Sequence, residues 1–254
     1  MKDFNVIILA AGKGSRLLPL TKSNPKCMTE LKGKSILSRQ INLYRKLGAS
    51  KIIVVCGYMH EKINEDYIIK VINNDFDSSN MVYSLMLAKD FLDGNTIISY
   101  GDIFFKEDLL NNLLNNSRDI VITSDSAWKS YWSQRFDNPL EDAESFVKGK
   151  SFKVKSLGQK EKTIKNIDGQ FIGLIKLSKE GCKRFISTYN SCHQNKLCKL
   201  NAWNSGRKLK LSYMTDILNY FAKQNHLFYV ETIGGWVEVD DLKDLEIANR
   251  KSWI

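Results

Sequence analysis

The sequence predicts an α/β fold with a mostly parallel central sheet and an antiparallel insertion. The first observation is an apolar strand at residues 5–10, followed by a helical pattern at 36–47 and a second apolar strand at 51–56. The helix is indicated by apolar residues spaced three and four apart and by Gly48 after its end. Strand, helix and strand in this order predict a right-handed parallel βαβ unit.

The second observation is that the alternation continues along the chain. A short strand is predicted at 71–73, Asn80 caps the start of a helix, and a buried strand follows at 96–100. The remaining predicted elements are a helix at 106–116, a strand at 120–124, helices at about 178–190 and 214–223, a strand at 227–232, a strand from Trp236 and a last helix from about Asp241.

The third observation is a change of pattern at about residues 127–175, where aromatic residues, charges and short alternating runs replace the regular alternation. This segment predicts an antiparallel insertion that folds over the carboxyl edge of the sheet. We find no internal repeat, low-complexity tract or linker, and the chain has only 3 prolines from which a linker could be built. We therefore predict a single domain over residues 1–254.

The formal net charge of +10 raises the alternative of nucleic-acid binding, because lysine and arginine neutralise phosphates. The lysines between Lys148 and Lys165 alternate with apolar residues, however, which is typical of strands with one solvated face. A basic surface also suits an enzyme with anionic substrates, so we expect no nucleic acid partner. No apolar run approaches about 18 residues and no signal-peptide pattern is visible, which predicts a cytoplasmic protein without a membrane partner.

The cysteines do not resemble a disulfide framework. They are odd in number and scattered, without a Cys-x-x-Cys pair, at Cys27, Cys56, Cys182, Cys192 and Cys198. We expect reduced thiols. A zinc cluster of Cys182, Cys192, His193 and Cys198 is a minor alternative.

The first strand ends in a glycine-rich turn, Leu-Ala-Ala-Gly-Lys-Gly-Ser-Arg over residues 9–16, and Pro25-Lys26 follows. Small residues let main-chain N–H groups approach a base and phosphates, and Arg16 and Lys26 add positive charge. The spacing is neither that of the dinucleotide fingerprint nor that of the P-loop. The pattern predicts a nucleoside triphosphate site, with an ordinary turn after a strand as the alternative.

Two acidic residues follow predicted strands at positions where a parallel sheet binds ligands. Asp102 follows the strand at 96–100, and Asp240 follows the strand that begins at Trp236. If the two strands lie close together, the carboxylates would converge opposite the glycine-rich turn, where they would suit Mg²⁺. An ordinary turn remains the alternative for Asp102, and for Asp241 we prefer the role of N-cap of the last helix.

These motifs resemble the sugar-phosphate nucleotidyltransferase superfamily, and within it the cytidylyltransferases that activate phosphocholine and aminoethylphosphonate. The resemblance covers nearly all of the chain and lies at residues 9–16, 25–28, 57–58, 79–85, 98–102, 169–174 and 235–240. It implies a Rossmann-like three-layer nucleotidyltransferase fold in which the insertion binds the acceptor. It also implies CTP as nucleotide and Mg²⁺ as cofactor.

The resemblance further implies a role for each matching residue. Arg16 and Lys26 would contact the phosphates as catalytic residues, and Asp102 with Asp240 would hold the magnesium. The implied nucleotide-binding residues are Leu9, Ala10, Ala11, Gly12, Gly14, Asn80 and Ser84.

The acceptor site is predicted within the insertion. Lys160 lies where relatives place a lysine that holds the phosphoryl group of the acceptor, and Arg135 is a second candidate anion ligand. Asp142 and Glu144 stand among aromatic residues, a mixture that suits an ammonium group. The alternatives are a solvated lysine and an acidic surface that follows a turn at Pro139.

The reaction implied is transfer of CMP from CTP to a small acceptor, with release of pyrophosphate, in the supply of precursors for surface glycan or lipid decoration. We rank the acceptors as 2-aminoethylphosphonate, then an amino-acid phosphoramidate such as phosphoglutamine, then phosphocholine. The alternatives are a hexose-1-phosphate nucleotidylyltransferase and a non-catalytic regulatory module. The oligomeric state stays open between monomer and homodimer.

Overall fold

The computed structural model describes residues 3–254 of the chain. Its strands are β1 (Phe4–Ala10), β2 (Glu30–Leu31), β3 (Lys34–Ser35), β4 (Ala49–Cys56), β5 (Ile69–Ile72), β6 (Thr96–Tyr100), β7 (Ile103–Phe105), β8 (Ile120–Asp125), β9 (Glu144–Lys148), β10 (Val154–Lys160), β11 (Gln170–Leu177), β12 (Phe228–Thr232) and β13 (Trp236–Glu238). Its α-helices are α1 (Ile36–Lys46), α2 (Met81–Leu87), α3 (Glu107–Leu114), α4 (Trp128–Arg135), α5 (Lys179–Gln194), α6 (Lys196–Leu200), α7 (Met214–Lys223) and α8 (Leu242–Asn249).

A seven-stranded sheet with the strand order β12-β8-β11-β6-β1-β4-β5 forms the centre of the molecule. Strand β1 pairs in parallel with β4 and β6, β4 pairs in parallel with β5, and β12 pairs in parallel with β8. Strand β11 alone runs antiparallel to its two neighbours in this sheet, β6 and β8. The predicted α/β fold class with a mostly parallel, Rossmann-like sheet is therefore confirmed.

The sheet is covered on both faces, and its central strands β1, β6, β8 and β11 are buried at nearly every position. All seven residues of β1 are buried, and alternate residues point to opposite faces. Ile7 and Leu9 belong to one hydrophobic cluster, while Val6 and Ile8 belong to another on the other side. Helices pack on both clusters, which gives the three layers.

Local signals in the sequence explain where the helices begin and end. The Ser35 side chain accepts the Ser38 N–H at the start of α1, and Asn80 accepts the Met81 N–H at the start of α2, as predicted. The predicted bounds of α7 and β6 are matched, whereas α5 extends to Gln194, beyond the predicted end at residue 190. Asp241 caps α8 through the Asp244 N–H, which is the role that we preferred for it.

The insertion is shorter than predicted. It contains α4 and the antiparallel hairpin of β9 and β10, but residues 170–175 belong to the central sheet as part of β11. This strand is buried at seven of its eight positions, as expected of a strand between two others. The insertion leaves the sheet after Asp125 and rejoins it at Gln170, and these two residues pair with each other.

Gly173 interrupts the regular pairing of β11. Its φ is +80°, the register of β11 against β8 shifts between Phe171 and Ile175, and a Cβ on Gly173 would lie 2.6 Å from the Tyr100 ring. Glycine is therefore required at this bulge for the ring of Tyr100 to pack against the strand.

The expectation that all cysteines are reduced thiols is wrong for one pair. Cys192, near the end of α5, forms a disulfide with Cys198 in α6, because the chain turns at Asn195 and brings the short helix back along the longer one. The minor alternative of a zinc cluster fails with it, since both sulfur atoms are bonded to each other. Cys27, Cys56 and Cys182 are free and buried.

Over residues 3–254, no helix has both the length and the apolar character needed to cross a membrane.

Candidate active site

A cleft of about 470 Å³ opens at the carboxyl ends of β1 and β6, the edge where ligands bind in sheets of this kind. The structure places most of the predicted site residues on its walls. These are Leu9, Ala10, Ala11, Gly12, Gly14, Arg16, Lys26, Asn80, Ser84, Asp102, Asp142 and Asp240, joined by Tyr100 and Glu238, which the sequence did not single out.

The glycine-rich turn forms one wall of the cleft. Gly14 adopts a φ of +64° directly before the short 3₁₀ helix at Ser15–Leu17, and its carbonyl accepts a hydrogen bond from Thr21 Oγ1 at 2.9 Å. A Cβ on Gly14 would lie 2.8 Å from Lys26 Cβ. The missing side chain therefore lets the turn and the stem of Lys26 pack against each other.

Lys26 joins the two predicted metal-binding carboxylates. Its Nζ lies 2.6 Å from Asp102 Oδ2 and 2.5 Å from Asp240 Oδ1. Burial acts to lower the pKa of Lys26, but the two carboxylates outweigh burial and hold the pKa above its ordinary value. The lysine is therefore a fixed positive charge at neutral pH.

Asp240 is held by basic residues on several sides. Arg16 Nη2 lies 2.9 Å from the same Oδ1 atom that Lys26 contacts, and the side chain of Arg16 remains 60% exposed at the mouth of the cleft. Burial acts to raise the pKa of Asp240, but the charge of Lys26, with those of Arg16 and Arg135, keeps the pKa below its ordinary value. Asp240 is therefore ionised.

The carboxylates meet because two short strands pair. Strand β13 runs antiparallel to β7, with Glu238 opposite Ile103, and the Val239 N–H donates to Asp102 O at 3.0 Å. This pairing brings the residue that follows β6 beside the residues that follow β13, although the two stretches are far apart in the chain.

Glu238 was not predicted as a site residue. One carboxylate oxygen from each of Asp102, Glu238 and Asp240 lies within 4.8 Å of the others. The alternation in Trp-Val-Glu-Val-Asp places Glu238 and Asp240 on the same face of an extended segment, and this period of two was the available signal. Burial raises the pKa of Glu238 to about 8, the Arg135 charge opposes this shift, and Asp240 adds to it.

This group of carboxylates fits a hard divalent cation. Asp102 Oδ1 is buried without a hydrogen-bond partner among the described residues, so it has an unused acceptor where a cation would be bound. Carboxylate oxygens are the ligands that Mg²⁺ takes while it keeps waters or phosphate oxygens in its other positions.

Asn80 and Ser84 lie together at the opposite wall. The Asn80 N–H donates to Lys210 O at 2.9 Å, which ties the start of α2 to the 3₁₀ helix at Leu209–Leu211. Ser84 Oγ accepts from Asn73 Nδ2 at 2.9 Å. Both residues reach the cleft from one helix, as expected for positions i and i+4.

The structure does not place Arg135 in the cleft, where it was predicted to bind the acceptor. Its side chain is 0% exposed and points inwards from α4, where it contacts Glu238, Asp240 and Asp244. These three carboxylates already satisfy the guanidinium group, so it does not face the cleft as an anion ligand.

Of the other predicted acceptor residues, Asp142, Glu144 and Lys160, only one lines the cleft. Asp142 lines it, and its Oδ2 accepts from Trp132 Nε1 at 3.2 Å. Exposed Lys160 donates to the carbonyls of Glu141 and Asp142 at 3.1 and 3.2 Å. Glu144 is not among the lining residues. Burial raises its pKa, and the charge of Lys160 opposes that shift.

Comparison with known proteins identifies relatives that are nucleotidyltransferases. A family model described as MobA-like NTP transferase domain matches residues 6–150. The chain is 36% identical to the CTP:phosphoglutamine cytidylyltransferase of Campylobacter jejuni, over 97% of this chain and 100% of that protein. It is 26% identical to the choline-phosphate cytidylyltransferase of Streptococcus pneumoniae, over 80% of this chain and 96% of that protein.

Among solved structures, the CTP:phosphocholine cytidylyltransferase of Streptococcus pneumoniae superimposes with a TM-score of 0.73 at 22% identity. The superposition covers 97% of each chain. At this identity the likeness supports the fold.

Proposed function

The chain belongs to the MobA-like NTP transferase domain family, and we propose that it is a Mg²⁺-dependent cytidylyltransferase whose acceptor is an amino-acid phosphoramidate of the phosphoglutamine kind. It is a nucleotidyltransferase. The single observation that carries the proposed chemistry is the contact of Lys26 with both Asp102 and Asp240 beside the glycine-rich turn. This contact brings together the cationic and anionic groups that transfer between two polyanions requires.

The nucleotide is proposed to bind along the glycine-rich turn and the start of α2. Residues 10–12 offer main-chain groups to the cytosine without large side chains in the way. Ser84 Oγ accepts from Asn73, which leaves the Ser84 O–H, among the described residues, to donate to the base. Arg16 at the mouth of the cleft and Lys26 on its floor then face the phosphates.

The reaction needs no general base. An acceptor phosphoryl oxygen that is ionised at neutral pH attacks the α-phosphorus of CTP, forming a new P–O bond. The bond from the α-phosphorus to the oxygen bridging to the β-phosphate breaks, and pyrophosphate leaves with that electron pair. Asp102 and Asp240 would hold Mg²⁺, which would supply charge neutralisation at the phosphoryl oxygens. Lys26 and Arg16 contribute fixed positive charge and orientation.

The choice of acceptor changes the ranking made from the sequence, in which 2-aminoethylphosphonate stood first. The relative at 36% identity over nearly the full length of both chains acts on phosphoglutamine, and this favours a phosphoramidate acceptor. Asp142 lines the cleft, and Lys160 donates to the Asp142 carbonyl beside it, so a carboxylate that suits an α-ammonium group lies near a lysine that suits an anion. A zwitterionic amino-acid acceptor would use both. We place the reaction in the cytoplasm, where CTP is formed.

The experiment is a measurement of pyrophosphate release with CTP, UTP, GTP or ATP against a panel of acceptors. The panel contains phosphoglutamine, 2-aminoethylphosphonate, phosphocholine and glucose-1-phosphate. We expect the highest kcat/KM with CTP and phosphoglutamine. A preference for glucose-1-phosphate would replace the proposal by a hexose-1-phosphate nucleotidylyltransferase, and release with no pair would indicate a non-catalytic module.

A further inference from the structure

Arg135 is a buried cation that contacts the carboxylates of the cleft from the side of the protein interior. Its Nη1 lies 2.6 Å from Glu238 Oε2, and its Nη2 lies 3.2 Å from Asp240 Oδ2. Nε and Nη2 also donate to the two oxygens of Asp244 at 2.8 and 2.9 Å. One guanidinium group therefore joins three carboxylates.

We propose that Arg135 is a positioning residue, which holds Asp240 and Glu238 in the arrangement that receives the divalent cation. This inference rests on the proposed function, because it assumes that Asp102 and Asp240 bind the metal. It assigns no contact between Arg135 and substrate.

The two oxygens of Asp240 have different partners, and this difference supports a positioning role. Oδ1 contacts Lys26 and Arg16, both of which line the cleft. Oδ2 contacts Arg135, which lies behind the wall. Because Arg135 engages one oxygen from the interior, the other oxygen is kept on the side of the cleft.

Asp244 anchors the arginine and the backbone of Asp240 together. Besides the two bonds from Arg135, Asp244 Oδ2 accepts the Asp240 N–H at 2.9 Å. The side chain of Asp244 is only 2% exposed. The segment between β13 and α8 is therefore tied to α4 through both its main chain and its side chains.

Aromatic rings fix the orientation of the guanidinium group. The Arg135 Cζ atom lies 5.2 to 5.5 Å from the ring centres of Tyr131, Trp132 and Phe136. A lysine at this position would keep the charge, but it would lose the planar set of donors that serves three carboxylates at once. Arg135→Lys therefore separates positioning from simple charge balance.

The test measures the affinity of the protein for Mn²⁺ by the paramagnetic resonance of free Mn²⁺, in the presence of an α,β-methylene analogue of CTP. The variants are Arg135→Lys and Asp244→Asn. The second variant keeps a side-chain oxygen that can accept the Asp240 N–H. The matched control is Lys176→Met. Lys176 is also a buried basic residue, but its Nζ contacts the carbonyls of Asn116 and Arg118, away from the residues that line the cleft.

We expect Arg135→Lys to raise the Mn²⁺ dissociation constant about 10- to 100-fold, the range for partners of metal ligands. Asp244→Asn should also raise the Mn²⁺ dissociation constant. Lys176→Met should leave this constant unchanged, even if the melting temperature of the variant falls. Pyrophosphate release by Arg135→Lys should recover at high Mg²⁺, since weakened metal binding is overcome by concentration. A purely structural role would not produce that recovery.

A dissociation constant within twofold of wild type in folded Arg135→Lys would overturn the inference. If that variant does not fold, an unchanged constant in Asp244→Asn has the same meaning. A failure of the proposed function would give a different result. If Asp102 and Asp240 do not bind the metal, wild type and Asp102→Asn would bind Mn²⁺ equally weakly, whatever the effect of Arg135→Lys.

Discussion

Lys26 donates to Asp240 at 2.5 Å although the two residues are separated by 214 positions in the sequence. The same Nζ contacts Asp102 at 2.6 Å. The glycine-rich segment, the end of β6 and the end of β13 are thus joined at one nitrogen atom. The charges that the proposed transfer requires are therefore held in place without a substrate, which is the condition for efficient electrostatic stabilisation.

The first prediction concerns the two aspartates. Asp102→Asn and Asp240→Asn should each lower kcat by about 100-fold or more, because each removes a negative charge from the metal site. Pyrophosphate release at saturating CTP and acceptor measures the effect, and circular dichroism checks that the fold is retained. Asp241→Asn is the matched control on the same segment, since asparagine caps a helix as well as aspartate does. Near-wild-type rates in both site variants would remove the metal assignment.

The second prediction concerns the contact of Gly14 with Lys26. Gly14→Ala should lower kcat/KM for CTP about tenfold or more, since the new methyl group would displace the stem of the lysine. Gly206→Ala is the control, because Gly206 also has a positive φ, of +81°, but no atom lies within 4 Å of its added Cβ. Both variants should lose about 1 kcal/mol of stability from the backbone alone. Equal activity in the two variants would show that the crowding of Lys26 is unimportant.

The third prediction is a pH dependence of stability that comes from Glu238. Its folded-state pKa of about 8 lies above its unfolded value. The protonated form therefore stabilises the fold below about pH 4, and this contribution is lost as the pH rises to about 8. Glu238→Gln has no such group to ionise.

Urea unfolding with EDTA should therefore show Glu238→Gln gaining stability relative to wild type between pH 5 and 8, by up to about 1.4 kcal/mol per pH unit. A constant difference over this range would mean that Glu238 is not raised in pKa. Glu231→Gln is the control, because Glu231 contacts Lys148 at the surface and its pKa is lowered.

The fourth prediction concerns recognition of the acceptor. Asp142→Asn should raise KM about tenfold for acceptors that carry an ammonium group, through loss of a charge-assisted contact. KM for CTP and for an acceptor without an ammonium group should stay the same. Exposed Asp137 provides the control variant Asp137→Asn. An equal rise in KM for both kinds of acceptor would indicate a general distortion of the cleft.

The fifth prediction concerns the disulfide between Cys192 and Cys198. Replacing both cysteines by serine should lower the free energy of unfolding by about 2 kcal/mol, the value expected for a short closed loop. Turnover should stay unchanged, because neither cysteine lines the cleft. Equal urea midpoints for wild type with and without dithiothreitol would contradict the pairing.

The sequence predicted the parts of the fold that depend on local pattern. The apolar strands β1, β4 and β6 and the capped helices α2 and α8 were found, because burial and capping leave a periodic or positional signal. The meeting of Asp102 with Asp240 was anticipated from the rule that ligands bind at the carboxyl ends of strands.

The features that were missed depend on contacts over long sequence distances. The bonds of Arg135 to Glu238 and Asp244 span 103 and 109 positions, so nothing near Arg135 in the chain shows that its charge is buried. The position of β11 inside the sheet is set by its pairing with β6 and β8, which its apolar residues alone do not specify. The disulfide depends on a change of direction at Asn195, which spacing alone does not reveal.

Asp125 and Gln170 pair with each other, so the segment between them leaves and rejoins the sheet at one place. This segment also carries Arg135, which contacts Glu238, Asp240 and Asp244 across the chain. A change in the segment that reshapes the acceptor end of the cleft is therefore expected to preserve the arrangement of these carboxylates only if α4 and Arg135 are kept.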